Sequence, residues 1–318
     1  MGDVLVTGAA GFIGGHTVQY LSRECGLPVV ASTRDGRNGT RRLDVQDPAS
    51  MAAALAGVDA VVHCAVGGRA VTVDGTRALL RAAAEAGVRR VVHLSSNAVY
   101  GGAIGILAED TAMVPAEGDG YPAWKAAAEL ACLAETGVET VRLRPTIVYG
   151  PGGMLWVGQF ARRIRSGRWG VLGPAGEGTC NPVHVSDVAS AIAAAVSAPG
   201  AAGQAFNVNG PDTTTWNGWF VKLAEVMGAP PLRTLSPAVL QARLYAALPV
   251  KAVARLRLGF GRNWLLGAPR RNELDLFAHR VGYSIEAARK AMGWTPSVPI
   301  AAGLAGTVEW LRTEGLAD

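Results

Sequence analysis

Tyr121 and Lys125 stand four residues apart in the stretch YPAWK, with Pro122 between them. Proline is favoured at the first position of a helix, so the spacing predicts a helix that starts here. Its first turn carries the phenol and the amine on one face. A free tyrosine has a pKa of about 10 and holds its proton at neutral pH. A nearby ammonium favours the phenolate and brings that value down. A tyrosine tuned in this way can pass a proton to or from an alcohol oxygen. Taken alone, such a pair is more often a solvated helix face. The chemistry becomes specific only beside a second element.

That element is the octet TGAAGFIG at residues 7–14. It follows an apolar strand-like run and opens a helix predicted over about Phe12 to Arg23. Gly8 permits the tight turn, Gly11 lets the backbone approach a pyrophosphate, and Gly14 lets helix and strand pack closely. Backbone N–H groups at the helix start receive the phosphates. In a chain with 41 glycines a lone octet would mean little. Its place between a strand and a helix gives it meaning.

The elements around these residues alternate. DVLVT, PVVAST, VDAVVHCA, VRRVVHLSS and VETVRLRP are near-continuous apolar runs, as strands buried on both faces should be. Between them lie Ala-rich stretches that predict helices over Thr72 to Ala86 and Pro122 to Glu135. Such alternation predicts a doubly wound α/β sheet of the Rossmann type. AFNVNG near 205 predicts one more strand returning to it. The expected organisation is a dinucleotide-binding domain over 1–150, rejoined by 186–210. A smaller substrate-binding cap follows, built mainly from 151–185 and 211–318.

The bulk numbers set limits. A chain of 318 residues, 49% hydrophobic and 17% charged, builds a full globular core. No apolar run reaches the length of a membrane span. Cys25, Cys64, Cys132 and Cys180 are scattered without a CxxC pair, and no basic leader precedes the first strand. Reduced thiols and a cytoplasmic location are therefore expected. The net charge of +5 arises from dispersed basic residues without interleaved aromatics. It fits an anionic small molecule better than a nucleic acid. His63 and His184 lie in strands with no ligand-spaced partner, so no metal site is expected. Arg243, Lys251, Arg255, Arg257, Arg262, Arg270 and Arg271 punctuate an apolar stretch. They suit a solvated cap helix better than a membrane-lying one.

Together with the GxxGxxG spacing, four further stretches resemble the extended branch of the short-chain dehydrogenase/reductase superfamily. They are LSSNAVYGG, YPAWK, LRPTIVYGPGG and NPVHVSDVA, in that order, followed by a family-like tail. The resemblance runs through nearly the whole chain and is weakest between about 232 and 276. It implies that Ser96 bonds the substrate carbonyl, that Tyr121 exchanges the proton, and that Lys125 also holds the nicotinamide ribose. It further implies cofactor contacts from Gly8, Gly11, Phe12, Ile13 and Gly14, from Asp44 and Val45, and from Cys64 and Ala65. For Asp44, an ordinary turn aspartate is an equal reading. Asn97, Trp124, Met154 and Trp156 are expected to line the substrate cleft. A homodimer through the helices at 72–86 and 122–136 is expected by resemblance only.

The chain also departs from the family pattern. Trp124 replaces the usual serine before the lysine, and Thr72 replaces an asparagine, which should loosen the sheet–helix junction. Dehydratases carry an Asp–Glu pair where Asn97 and Ala98 stand. Sugar epimerases carry an Asn at Ile147 and an Arg at Cys180. The family resemblance therefore points towards the 3β-hydroxysteroid dehydrogenase and dihydroflavonol reductase branch. The reaction expected is hydride transfer to or from a carbonyl or secondary alcohol of fairly apolar character. The alternatives are a nucleotide-sugar epimerase or dehydratase, and a sensor that kept the fold and lost the reaction. At the end of the second strand Thr33 is followed by Arg34, with Arg37 close by. A guanidinium there pairs with a ribose 2′-phosphate, so NADP is expected over NAD. A shifted register would put Asp35 on the ribose and favour NAD.

Overall fold

The computed structural model describes residues 2–245 and 266–317. In chain order its elements begin with β1 (Asp3–Thr7), α1 (Phe12–Arg23), β2 (Val29–Thr33), β3 (Arg41–Arg42), α2 (Pro48–Leu55) and β4 (Val58–His63). Next come α3 (Thr76–Glu85), β5 (Arg90–Leu94), β6 (Gly105–Leu107), α4 (Tyr121–Ala134), β7 (Glu139–Pro145) and β8 (Ile147–Tyr149). They are followed by α5 (Gln159–Arg165), β9 (Thr179–Cys180), β10 (Pro182–His184), α6 (Val185–Ser197), β11 (Ala205–Val208) and β12 (Thr214–Thr215). The last are α7 (Trp216–Val226), α8 (Arg271–Ala278), β13 (Val281–Tyr283), α9 (Glu286–Met292) and α10 (Ile300–Thr313).

Seven strands form one sheet in the order β11-β7-β5-β4-β1-β2-β3, and every neighbouring pair is parallel. This is the doubly wound Rossmann-type arrangement that the apolar runs call for. Val4, Leu5, Val6, Val61 and Val62 are fully buried, because helices cover both faces of a parallel sheet. The strand order reverses between β1 and β4. Ligands of such sheets bind outside the carboxyl ends of the strands at that switch point. β11 returns to the edge of the sheet beside β7, as AFNVNG suggested.

Local sequence explains some of the helix starts. Asp47 caps α2 by accepting from Ala49 N at 3.1 Å and Ser50 N at 3.2 Å, and Pro48 follows it. The helix expected from Thr72 instead opens with a π-helical turn, Ala70–Gly75, before α3 begins at Thr76. Thr72 does not loosen this junction. It is buried, and its hydroxyl donates to Gly67 O at 3.0 Å and accepts from Gly67 N at 3.3 Å. In α4, Pro122 is the second helical residue; Tyr121 is the first, after Gly120.

The chain divides into two compact units. The first holds Met1–Thr146, Val185–Pro211 and Tyr283–Ser297, and contains the whole seven-stranded sheet. Its last segment differs from the organisation expected above, which left 283–297 in the cap. Trp294 Nε1 donates to Ser190 Oγ at 2.9 Å, and Ser297 N to Asp187 Oδ1 at 3.0 Å. These bonds tie the segment to α6, a link that composition does not reveal.

The second unit holds Ile147–His184, Asp212–Gly282 and Val298–Asp318. β8 and β10 pair in parallel, and β12 and β9 pair antiparallel. Trp216, Trp219, Phe220 and Phe277 are fully buried in its core. The Arg163 guanidinium lies 4.7 Å from the Trp169 ring and pairs with Glu273 at 2.8 Å. Arg243 Nη1 donates to Gly267 O at 3.1 Å. Arg270 is the N-cap of α8 and Arg271 its first residue. Lys251, Arg255, Arg257 and Arg262 lie outside the described residues.

Candidate active site

The glycine octet turns from β1 into α1. Gly8 takes φ +67°, a conformation that favours glycine. A Cβ there would also lie 3.0 Å from Ala65 N and 3.1 Å from Cys64 C. The loop after β4 is therefore packed directly against this turn, across the switch point. A Cβ on Gly14 would lie 2.3 Å from Gly8 O, so no side chain fits between helix and strand. Gly11 caps α1 without a side-chain cap bond; among the described residues no side chain bonds the free N–H groups of the first turn, which also lacks an acidic residue. Those donors and the helix dipole are left open to an anion. Phe12 and Ile13 form this turn. Phe12 packs edge-on against His16, and Ile13 O accepts from Thr17.

β2 ends at Thr33. Its hydroxyl donates to Asp35 Oδ1 at 3.2 Å, while Arg37 Nε lies 2.9 Å from Asp35 Oδ2. These bonds hold the Asp35 carboxyl below its usual value. Arg34 is exposed and joins no ion pair among the described residues. Arg37 is committed to Asp35. Asp44 Oδ1 accepts from Gln46 N at 3.0 Å, the bond of a turn aspartate. Val45 is buried against Gly75.

Ser96, Tyr121 and Lys125 come together in the first unit. Ser96 follows the end of β5 and accepts from Ala98 N at 3.2 Å. Burial raises the Tyr121 pKa, and the neighbouring Ser96 hydroxyl offsets part of that rise. The lowered value expected from Lys125 is not found, for a geometric reason. Lys125 Nζ lies 6.0 Å from the Tyr121 ring centroid and donates instead to Leu94 O at 2.6 Å. Lys125 is itself 3% exposed, and burial brings its pKa down to about 8.

The surroundings of Lys125 are dry and uncharged on one side. His63 is buried, with Thr7 Oγ1 at 2.9 Å from Nδ1 and Thr76 Oγ1 at 3.1 Å from Nε2. Burial and then Lys125 push its pKa down to about 3, so it is a neutral bridge. Burial pushes the Cys64 thiol up to about 12. On the other side lies Glu129, fully buried on the same face of α4. It accepts from Ser95 Oγ at 2.5 Å and from Arg144 Nε at 2.9 Å and Nη2 at 2.6 Å. Sequence reading missed Glu129 and Ser95. The four-residue spacing of Tyr121, Lys125 and Glu129 was the available signal.

Asn97 Nδ2 donates to Tyr283 Oη at 2.8 Å, a link across 186 residues with no sequence signature. Trp124 is half-buried, and its indole N–H has no hydrogen-bond partner among the described residues. Met154 and Trp156 belong to the second unit, in the π-helical turn Met154–Gly158. There the Trp156 ring centroid lies 5.5 Å from that of Trp216. Among the described residues no cluster of ligating side chains could hold a metal ion.

Residues 4–209 match the sequence model of the NAD-dependent epimerase/dehydratase family. A 2-alkyl-3-oxoalkanoate reductase of Stenotrophomonas maltophilia (strain K279a) is 29% identical, covering 95% of this chain and 97% of the relative. A 3 beta-hydroxysteroid dehydrogenase/Delta 5-->4-isomerase of Mycobacterium tuberculosis (strain CDC 1551 / Oshkosh) is 32% identical, covering 54% of each chain. Among solved structures, MoeE5 in complex with UDP-glucuronic acid and NAD superposes with a TM-score of 0.75. It is 28% identical, with 98% of this chain and 100% of that one covered.

Proposed function

This chain belongs to the NAD-dependent epimerase/dehydratase family of extended short-chain enzymes, and we propose that it is an NADP(H)-dependent reductase or dehydrogenase of a fairly apolar carbonyl or secondary alcohol. The observation that carries the reading is the 2.6 Å bond from Lys125 Nζ to Leu94 O, which ties the start of α4, with Tyr121, to the end of β5, where Ser96 is followed by Asn97 and Ala98. One hydroxyl pair can polarise one oxygen and exchange one proton. Water elimination needs a further acid–base pair, and neither Asn97 nor Ala98 can titrate.

The cofactor fits the residues present. The uncapped start of α1 and the tight approach at Gly8 and Gly14 suit a pyrophosphate. Arg34 is free for a ribose 2′-phosphate, whereas Asp35 is already paired. Ser32 and Thr33 close β2 without an acidic residue for a ribose 2′-hydroxyl. When bound, the nicotinamide supplies or accepts the hydride. Ser96 and Tyr121 then hold the substrate oxygen, and Tyr121 Oη gives it the proton in reduction or takes it in oxidation. Lys125, whose amine donates to Leu94 O, would hold the nicotinamide ribose. Within the first unit, Asn97 and Trp124 would face the substrate beside Ser96 and Tyr121. The name of the Stenotrophomonas relative, a reductase of an oxo compound bearing an alkyl chain, supports this class of substrate.

The test is a substrate panel of alkyl ketones, β-keto acids, sterols and polyphenol ketones, followed by NADPH absorbance. Turnover is expected with at least one class, with NADPH binding more tightly than NADH. Tyr121→Phe keeps the ring and is expected to lower turnover by about 10²–10⁴-fold while leaving cofactor affinity unchanged. Full turnover in that variant, no turnover across the panel, or micromolar binding of UDP- or dTDP-hexoses in calorimetry overturns the reading.

A further inference from the structure

Ser95, Ser96 and Asn97 are consecutive, and residues distant in the chain hold the outer two. Ser95 Oγ donates to the buried Glu129 carboxylate. Asn97 Nδ2 donates to Tyr283 Oη at 2.8 Å, and its Oδ1 lies 3.5 Å from Ser96 Oγ. Tyr283 is itself fixed. Its ring centroid lies 5.9 Å from that of Tyr100. The next residue, Ser284, donates from its N to Leu107 O at 2.9 Å and accepts from Asn207 Nδ2 at 3.1 Å. Tyr100 is locked in turn, donating to Asn207 Oδ1 at 2.7 Å and accepting from Arg144 Nη1 at 2.8 Å.

We propose that Tyr283 is a positioning residue for the Ser96 hydroxyl, acting through the Asn97 amide. The inference rests on the reductase reading given above. A primary amide has a donor end and an acceptor end. Tyr283 engages the donor end, so the acceptor end is the one turned to Ser96. The Ser96 oxygen already accepts one N–H, from Ala98. With the amide held this way, Asn97 adds no second N–H to it. The contact from Ser96 Oγ to Asn97 Oδ1 sits at the long limit of a hydrogen bond. The serine proton is therefore weakly held and can turn to the reacting oxygen. Without Tyr283 the amide can rotate. It then either tightens on the serine proton or offers a competing donor.

The experiment compares wild type with Tyr283→Phe, Asn97→Ala and the double variant, using the substrate that turns over in the panel. Phenylalanine keeps the ring contact with Tyr100, so the fold is expected to persist. Each single variant is expected to lower kcat about three- to tenfold, the worth of one hydrogen bond. Cofactor Kd should not change. The double variant should be no slower than Asn97→Ala alone, because both changes cut one chain. Wild-type kcat in Tyr283→Phe overturns the proposal. So does multiplication of the two losses, or a kcat loss accompanied by an equal loss of cofactor binding. Tyr121→Phe, run alongside, separates the failures. If it stays active, the reaction itself is misread. If it is inactive and Tyr283→Phe is fully active, only the positioning role falls.

Discussion

Replacing Lys125 with methionine should make the protein more stable and inactive. The ammonium is 3% exposed and donates to one carbonyl, Leu94 O. Its nearby carboxylate, Glu129, already accepts three bonds from Ser95 and Arg144. Burial brings the lysine from 10.5 to about 8, which corresponds to ~3 kcal/mol against the charged form. Below pH 8 the lysine is protonated in both the folded and the unfolded chain, and the folded chain bears the whole penalty. Between about 8 and 10.5 the unfolded chain binds a proton that the folded one does not, so stability rises with pH. Methionine keeps the stem and removes the charge. It also strands the Leu94 carbonyl, which takes back about 1 kcal/mol. The net gain at pH 7 is therefore ~1–3 kcal/mol. Urea unfolding of both cofactor-free proteins at pH 7 and pH 10 measures it. The advantage should largely vanish at pH 10, where the wild-type lysine is neutral when folded. A variant no more stable than wild type at pH 7, or an advantage equal at both pH values, would refute the reasoning.

Two other variants probe the cofactor turn and the anchor below it. Gly14→Ala puts a Cβ 2.3 Å from Gly8 O, so the helix start must shift. NADPH affinity by fluorescence titration should fall at least about tenfold, equivalent to ~1.4 kcal/mol of overpacking; unchanged affinity would mean that this turn does not set the phosphate site. Glu129→Gln leaves Arg144, and Arg142 at 3.9 Å, without a buried counter-charge. It should destabilise the protein by about 3–5 kcal/mol in urea unfolding, and a loss below ~1 kcal/mol would show that the ion pair is not what holds α4 to the sheet.

Much of this was legible in the sequence because burial on both faces writes itself as apolar runs. β1, β4, β5 and β7 announce themselves, and the glycine octet marks the first turn. What stayed hidden depended on direction or distance. Lys125 stands one turn from Tyr121, but nothing in YPAWK says that its amine turns to Leu94 O. The sign expected for the tyrosine was therefore wrong. Thr72 looked like a weak substitute because its partner, Gly67, lies on the preceding loop. The bond from Asn97 to Tyr283 joins residues that no local pattern connects. The tie of 283–297 to the first unit rests on Trp294 and Ser297 finding α6, which composition cannot show.

The face of α4 that carries Tyr121, Lys125 and Glu129 runs from open to closed. Tyr121 is 43% exposed, Lys125 3% and Glu129 0%. Spacing at i, i+4 and i+8 places all three along one stripe of the helix. Depth then divides their work. On the reductase reading, the phenol is open enough to meet a substrate oxygen. The lysine is dry enough that its charge acts strongly over short range and is expensive to keep. The glutamate is deep enough to serve as an anchor, since both its oxygens are taken. Ser95 belongs to the same anchor, and the next residue is Ser96. The bond from Ser95 to Glu129 thus ties the segment after β5 to α4. A change at the deep end should therefore act first on stability, and reach the chemistry only through the spacing of Ser96 and Tyr121. A change at the shallow end should act on the chemistry and leave stability nearly untouched.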